Sequence, residues 1–565
     1  MTKKISGYCL EYSTYLLFFI AYLVVFIFVG FLFHVYINNY TLLSAFISYN
    51  LAAGLYLFKA ANRNRFKQFL IWVAITPLLF LASATAFSHT YDISYDGQDY
   101  HQSAIIALSN KWDPLYQNAL PISPSNPVDK PVDEGYGKTI WSIDSSIYKL
   151  THNIDSATAI NLIVGFIALS LAFAALLELN LSPLDSLLLA IAAVFTTIFI
   201  EQTFSFREDA LSYELLIIGL SSSVLLYRRK NKLVPLLGLF VSVALIASIK
   251  DSNLFIFIPL VILSIYIIIQ RKIYGLSYFK PLAAGTFIVA VLLLFNPYVT
   301  NLYDHHAIDY PFNTPYFANS LKSQDIPINI ANDNRFELFF YGIFSQASLG
   351  NYEDSGSQAL AHLKVPFSLT SNDLLTESSV ISKTVGGYGV LFSGILVISL
   401  MAYVYLLVKD FKSKNRTTIL WLTAGMLLVI GSCLIGPAPN YSRYISQLYL
   451  IPIAVAASLL MTGGKGLIGR RFIGLLIVGL LLVNTFLDGS LSYASQYYSF
   501  RGMNSQLNKL AESKQTYLVH DGAFYSNYLK LKSRGVKIVE SPKLISCAGE
   551  IILDESVGST VLCKI

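Results

Sequence analysis

Hydrophobic positions along this chain fall into long unbroken blocks, separated by short basic links or by much longer polar stretches. The blocks predict membrane spans at about 13–34, 41–58, 69–88, 159–178, 184–201, 210–227, 233–249, 253–270, 281–296, 384–407, 418–435, 444–461 and 472–487. These lengths approach the ~20 apolar residues a helix needs to cross a bilayer, with room for tilt and short segments. The first block has a charged flank, but its apolar core is too long for a signal peptide and lacks a clear small-residue cleavage site, so it reads as a retained span. Nearly every basic cluster, such as Arg63, Arg65 and Lys67 or Lys409, Lys412 and Lys414, falls on one side of this arrangement. That is the positive-inside pattern, and it places the N-terminus in the cytoplasm and the C-terminus outside.

The resulting fold class is an all-α polytopic membrane protein of about thirteen transmembrane helices, with outer-face loops and a small C-terminal α/β appendage. Five regions follow: an N-terminal pair of spans with a basic loop (1–68), a core with a first outer loop at 89–158 (69–296), a second large outer loop (297–383), further spans (384–487) and an extracytoplasmic tail (488–565). In the tail, QTYLVHDGAFYSNYLKLKSRGVKIVES reads as strand, turn at Asp521 and Gly522, helix and strand. Of four cysteines, only Cys547 and Cys563 suit a disulfide, and only in an oxidising compartment.

Composition agrees with a membrane protein. Hydrophobic residues make up 54% and charged residues 13%, against about 25% charged in soluble domains. The formal charge of +6 sits in the links between spans, so it reports topology and gives no support to a nucleic-acid partner.

The candidate chemistry gathers on the outer side. YDISYDGQDYHQ, directly after the third span, carries Asp92, Asp96, Asp99 and His101. A helical reading puts the three carboxylates on one face, where like charges raise one another's pKa. The alternative is a solvated loop in which Asp92 or Ser94 caps a short helix. Asp96 stands out because Gly97 permits close backbone approach. Arg207, Glu208 and Asp209 crowd the short outer loop QTFSFRED; they either pair with one another or serve an acceptor hydroxyl and a phosphate. Lys250 and Arg443 lie outside, against the basic trend. Lys250 needs a partner, either Asp251 or a lipid-linked phosphate, and Arg443 either grips phosphate oxygens or snorkels to the interface.

The stretch 136–154 predicts an amphipathic helix with Trp141 and Tyr148 near headgroup level, an anchor or a wall of a lipid-substrate groove. Phe336–Phe344 predicts an interfacial helix or a cover over the cavity. Asp304, His305, His306 and Asp309 form a loose set of metal-ligand types, weak candidates for a divalent cation. No P-loop, GxSxG, GxGxxG after a soluble strand or zinc motif occurs, which removes support for nucleotide-driven and serine-hydrolase chemistry.

DISYDGQDYHQ in a first large outer loop, FSFREDALSYELL in a second short one and GPAPNYSRYISQLYLIP late in the chain together resemble the GT-C superfamily of polytopic glycosyltransferases, with a mannosyltransferase-like or ArnT/PMT-like architecture. The resemblance spans roughly residues 69–487 and implies transfer of a sugar from a polyprenyl-phosphate carrier. YDGQDY is similar to an Asp-Gly-x-x-Tyr element of some members, which implies Asp96 as catalytic base, with Asp92 as fallback, and Tyr100 as its support. It further implies Asp209 as an acceptor-side carboxylate and Arg443 as a contact to the carrier phosphate, with His101, Arg207 and Lys250 nearby. Some members use Mg2+ or Mn2+, although no spacing here demands a metal. The implied partners are a polyprenyl-phosphate sugar donor, a glycan or lipid acceptor and membrane lipids, in a bacterial-type cytoplasmic membrane. Competing classes are a polysaccharide polymerase or ligase, which would also use Arg443, and a transporter or flippase, which calls for more ionisable residues at mid-span.

Overall fold

The computed structural model describes all residues except 1, 60–62, 118–119, 121–134, 230, 251, 309, 311–313, 315–325, 350–359, 378–382, 411–415, 463–467, 521–523, 542, 544 and 554–559. Asp251, Asp309 and the Asp521–Gly522 turn therefore lie outside the described residues.

Among the described residues, ten helices are long and apolar enough to cross a membrane. Three shorter apolar helices, Pro183–Val194, Leu233–Ile249 and Ser446–Thr462, occupy the other expected positions. The helix Asp209–Arg228 is central, with 83% of its apolar window buried, packed on Ala159–Glu178 and Leu233–Ile249. Gly219 lets a neighbour approach it, since a Cβ there would sit 2.5 Å from a Leu260 methyl. Small residues at such contacts let helices close without a hydrophobic drive between them. The first helix, 56% buried, joins this core on Ala159–Glu178, whereas Thr41–Phe58 and Arg63–Phe87 are each 17% buried and lie at the edge. The second and third helices are thus peripheral, as is Phe279–His305 at the same 17%, and the expected boundary at 68 falls inside the third helix.

Three expected boundaries move for local reasons. The block 184–201 is two helices, Pro183–Val194 and Thr197–Gln202. Ser182 caps the first by accepting from Asp185 N at 3.1 Å, with Pro183 at the first helical position. Thr196 caps the second by accepting from Phe199 N at 3.3 Å, so each piece carries its own start signal. The block 384–407 becomes helical only at Phe392, because Gly386 and Gly389 adopt φ of +70° and +89°, which a helix interior does not contain. Lys383–Val385 instead pairs antiparallel with Ser348–Leu349. The last helix runs unbroken from Ile468 to Glu512, through the expected boundary at 488.

That helix carries the tail. Its Met503, Leu507 and Leu510 share a core with Tyr517, Val519, Leu531 and Leu562. Thr516–His520 pairs parallel with Lys537–Glu540 across the helix Ser526–Ser533, and Val561–Lys564 and Ile551–Ile552 add antiparallel. The Cys547–Cys563 disulfide closes the unit, as the cysteine positions suggested. A domain this small gains from such a staple, which limits its unfolded chain.

Candidate functional site

Residues Tyr91–Ser94 have no regular secondary structure, a helical turn begins at Tyr95, and Gly97–His101 forms a π-helical turn leading into the helix Gln102–Ser109. Asp92 and Asp96 therefore do not share a helix face, and the one-face expectation is corrected. Asp92 accepts hydrogen bonds from Ser94 N at 2.8 Å, Phe206 N at 2.7 Å and Ser205 Oγ at 3.0 Å. It fastens the first loop to the 202–208 loop. Ser94 Oγ accepts from Gly97 N at 3.2 Å and meets Ser205 Oγ at 3.0 Å, which is the capping alternative. A Cβ on Gly97 would lie 1.7 Å from Asp92 Oδ2, so the turn that aims Asp96 closes only around glycine.

Asp96 faces the opposite way and is 9% exposed. Arg443 Nη1 donates to its Oδ2 at 2.7 Å, and Arg207 Nε lies 3.5 Å from the same oxygen. Burial pushes this carboxyl up, but the Arg443 and Arg207 guanidinium groups more than offset it and hold it well below the usual carboxylate range. Arg443 is itself buried, over the rings of Tyr441 and Tyr444 at 4.6 and 5.0 Å. It points into the protein rather than to the interface.

In the 202–209 loop Arg207 faces Asp96 and Asp209 pairs with Lys250, each reaching a residue outside the loop. Lys250 Nζ donates to Asp209 Oδ1 at 3.0 Å and sits 4.6 Å from the Tyr444 ring centroid; Gln202 Nε2 approaches Asp209 Oδ2 at 3.5 Å. Glu208 is 2% exposed, with neither carboxyl oxygen hydrogen-bonded among the described residues. Burial raises it well above the usual range, against the pull of Lys250. The first loop thus presents Asp96 against two guanidinium groups, and the 202–209 loop presents Glu208, whose carboxyl burial shifts toward the neutral form.

His101 accepts from Trp141 Nε1 at 2.7 Å through Nδ1, which requires the proton, when neutral, on Nε2. Burial lowers its pKa to about 3, with Asp96 pulling the other way. Trp141, on the helix Thr139–Thr151, is fully buried, so it walls the site instead of reaching the headgroups. Tyr100 stacks obliquely on Tyr136 at 5.4 Å; burial first, and then Asp96, keep its hydroxyl protonated.

Lys383, absent from the sequence candidates, is the main addition. It pairs with Glu201 and, at 3.3 Å, with Asp488. With Arg207, Arg443, Gln202 and Tyr441 it lines a polar cavity of about 10 Å³, room for about one water. Its signal in sequence was a lysine on the outer side immediately before an expected span, a further exception to the charge asymmetry. Trp141 carried no such mark.

His305 stacks on Tyr310 with ring centroids 3.5 Å apart, away from this cluster. Among the described residues no three His, Cys, Asp or Glu side chains come together to hold a metal. Asp96 and Asp209 already face cations. The donor set does not form a cage, and no step below runs through a metal.

No protein family and no curated relative matches the chain. Its structure is similar to the crystal structure of ArnT from Cupriavidus metallidurans bound to undecaprenyl phosphate, with 9% identity and a TM-score of 0.47, covering 88% of this chain and 98% of that one. The apo state of the same protein is matched over the same shares at 10% identity, with a TM-score of 0.36. At those scores the likeness carries no argument about the site, whose reading rests on its own residues.

Proposed function

We propose that the protein is a GT-C-type membrane glycosyltransferase that moves a sugar from a polyprenyl-phosphate carrier to a glycan, lipid or other cell-envelope acceptor, with inversion. The observation that carries this is the meeting of Asp96 with Arg443, 347 positions apart, beside a cavity lined also by Arg207 and Lys383. A carboxylate for an acceptor hydroxyl and three cations for a departing phosphate share one buried place. The basic links lie on the opposite side, and the disulfide-bearing tail packs beside the site, which supports an extracytoplasmic face and an outer C-terminus.

In the proposed displacement the acceptor oxygen attacks the sugar C1 as Asp96 takes its proton. The bond from C1 to the phosphate oxygen breaks, and the carrier phosphate leaves with the electron pair. Arg443, Arg207 and Lys383 stabilise that charge in a water-poor site, where fixed charges act most strongly. A phosphate leaves readily, so a separate acid is not needed. Asp96 held by two guanidinium groups is a weak base. A carrier phosphate that draws Arg443 to itself relaxes that hold and returns basicity to Asp96 when donor is present. The cavity admits a phosphate only if these cations part, which ties donor entry to activation.

The test is purified protein in lipid nanodiscs with polyprenyl-phosphate sugars and an envelope acceptor extract. Transfer with inversion of the anomeric centre supports the reading. Use of diphosphate-linked glycan alone moves the protein to the polymerase or ligase class, and translocation without transfer moves it to the flippases.

A further inference from the structure

The segment that ends in Asp96 is gripped from two sides. Asp92 and Ser94 bind the Ser205–Phe206 loop of the membrane core. Tyr91, Ile93 and Tyr95 face the tail domain instead. Tyr91 belongs to that domain's own apolar core, with Leu507, Tyr528 and Leu531, and its ring lies 5.2 Å from Phe500. Ile93 packs against the same cluster. Tyr95, the residue before Asp96, meets Phe524 edge-on at 5.5 Å, and Phe524 is fully buried.

A cation completes the contact. Lys530, 5% exposed on the helix Ser526–Ser533, holds its ammonium 5.0 Å from the Tyr91 ring centroid. Burial lowers its pKa, and Asp155 and then Asp92 oppose that in part. A buried lysine costs several kcal/mol of desolvation unless it has such partners. A tail that merely covered the loop surface would have no need to bring a charge in.

We propose that the tail domain is a clamp that sets the position of Asp96, with Tyr91, Phe524 and Lys530 as positioning residues. The membrane core holds Asp92 and Ser94, and the tail holds Tyr91, Ile93 and Tyr95, so the base is aimed only when both are docked. The catalytic consequence rests on the reading of Asp96 as acceptor base. The mechanical one does not.

The experiment compares full-length wild type with Phe524→Ala, Phe524→Tyr and Lys530→Met in nanodiscs. Hydrogen exchange of amides 91–101 is followed beside kcat and the KM for a polyprenyl-phosphate sugar. The clamp requires faster exchange at 91–101 in Phe524→Ala and Lys530→Met. It also requires a kcat loss of about tenfold or more, the size expected of a displaced catalytic group, with KM for the donor unchanged. Phe524→Tyr, which keeps the ring, restores both. Should Phe524→Ala lose protection throughout the tail, Lys530→Met decides. Unchanged exchange in both variants, or faster exchange with full kcat, overturns the clamp. If wild type transfers no sugar, the role of Asp96 falls while the exchange comparison still decides the clamp.

Discussion

Ion pairs at the two ends of the helix bundle use the same side chains and are built differently. At the basic end, Arg470 grips Asp410 with two hydrogen bonds at 2.7 and 3.0 Å, Arg471 meets Asp185 at 3.1 Å and Arg229 meets Glu178 at 2.9 Å. Each joins two helix ends, and exposure reaches 52% at Arg471. At the loop-bearing end, Asp96 is shared by Arg443 and Arg207, and Lys383 is shared by Glu201 and Asp488, with side-chain exposures of 0–19%. Pairs of the first kind are complete staples between rigid rods. In the second kind, Asp96 and Lys383 each have two ionic partners, so one can be given up while another is kept, which suits the phosphate-receiving site proposed above. Burial makes every such ion expensive, so a cluster of them concentrated at one end is a functional arrangement before it is a stabilising one.

The contrast is broken most severely at Gly97. Gly97→Ala drives a methyl into Asp92 and tears the loop from its core-side anchor, and transfer is expected to fall by on the order of 10²-fold or more, measured as turnover at saturating donor. Arg443→Ala comes next. Donor affinity is expected to drop about tenfold to a hundredfold, on the scale of a lost charge-assisted contact, in a binding assay with polyprenyl phosphate. Unchanged binding would return Arg443 to a structural role. At the other end, Asp410→Ala is expected to lower stability by about 1–3 kcal/mol, between the surface and buried limits, with turnover per folded molecule preserved. A loss of turnover there would erase the distinction between the two ends.

The pH dependence of stability sharpens it further. His101 titrates near ~6.5 when unfolded and near 3 when folded, so between these values the unfolded chain binds the extra proton. Its contribution is complete above the unfolded value and is lost as pH falls toward 3, at up to about 1.4 kcal/mol per pH unit. His101→Gln is expected to flatten that slope in thermal unfolding scans. The smallest expected effect is that of chelation: EDTA, or added Mg2+ or Mn2+, leaves transfer unchanged.

Much of this was legible in the residues. The span positions followed from apolar block length, because a bilayer imposes one length on every helix. Asp96, Arg207, Asp209, Lys250 and Arg443 were marked by being charged where a membrane end has little reason to hold charge, and the structure pairs Asp96 with Arg443 and Arg207, and Asp209 with Lys250. What escaped was side-chain direction. The change from irregular chain to a helical turn at Tyr95 is anchored through Asp92 on Ser205 and Phe206, over 100 residues away, so no local periodicity separates Asp92 from Asp96. The helix of Trp141 read equally as an interfacial anchor and as a wall of a groove, because amphipathic helices look alike whether they face lipid or protein. Lys383 was hidden behind glycines that shift the following helix to Phe392.

The central claim is that Asp96 supplies the base while the cations around it hold the donor. It is tested most directly by single-turnover transfer in Asp96→Asn, with donor binding measured in the same preparation. The account predicts that transfer falls by roughly 10²–10⁴-fold, while polyprenyl-phosphate sugar binds as well as to wild type or better, since Arg443 is released from its carboxylate. Transfer near the wild-type rate with intact binding would contradict it.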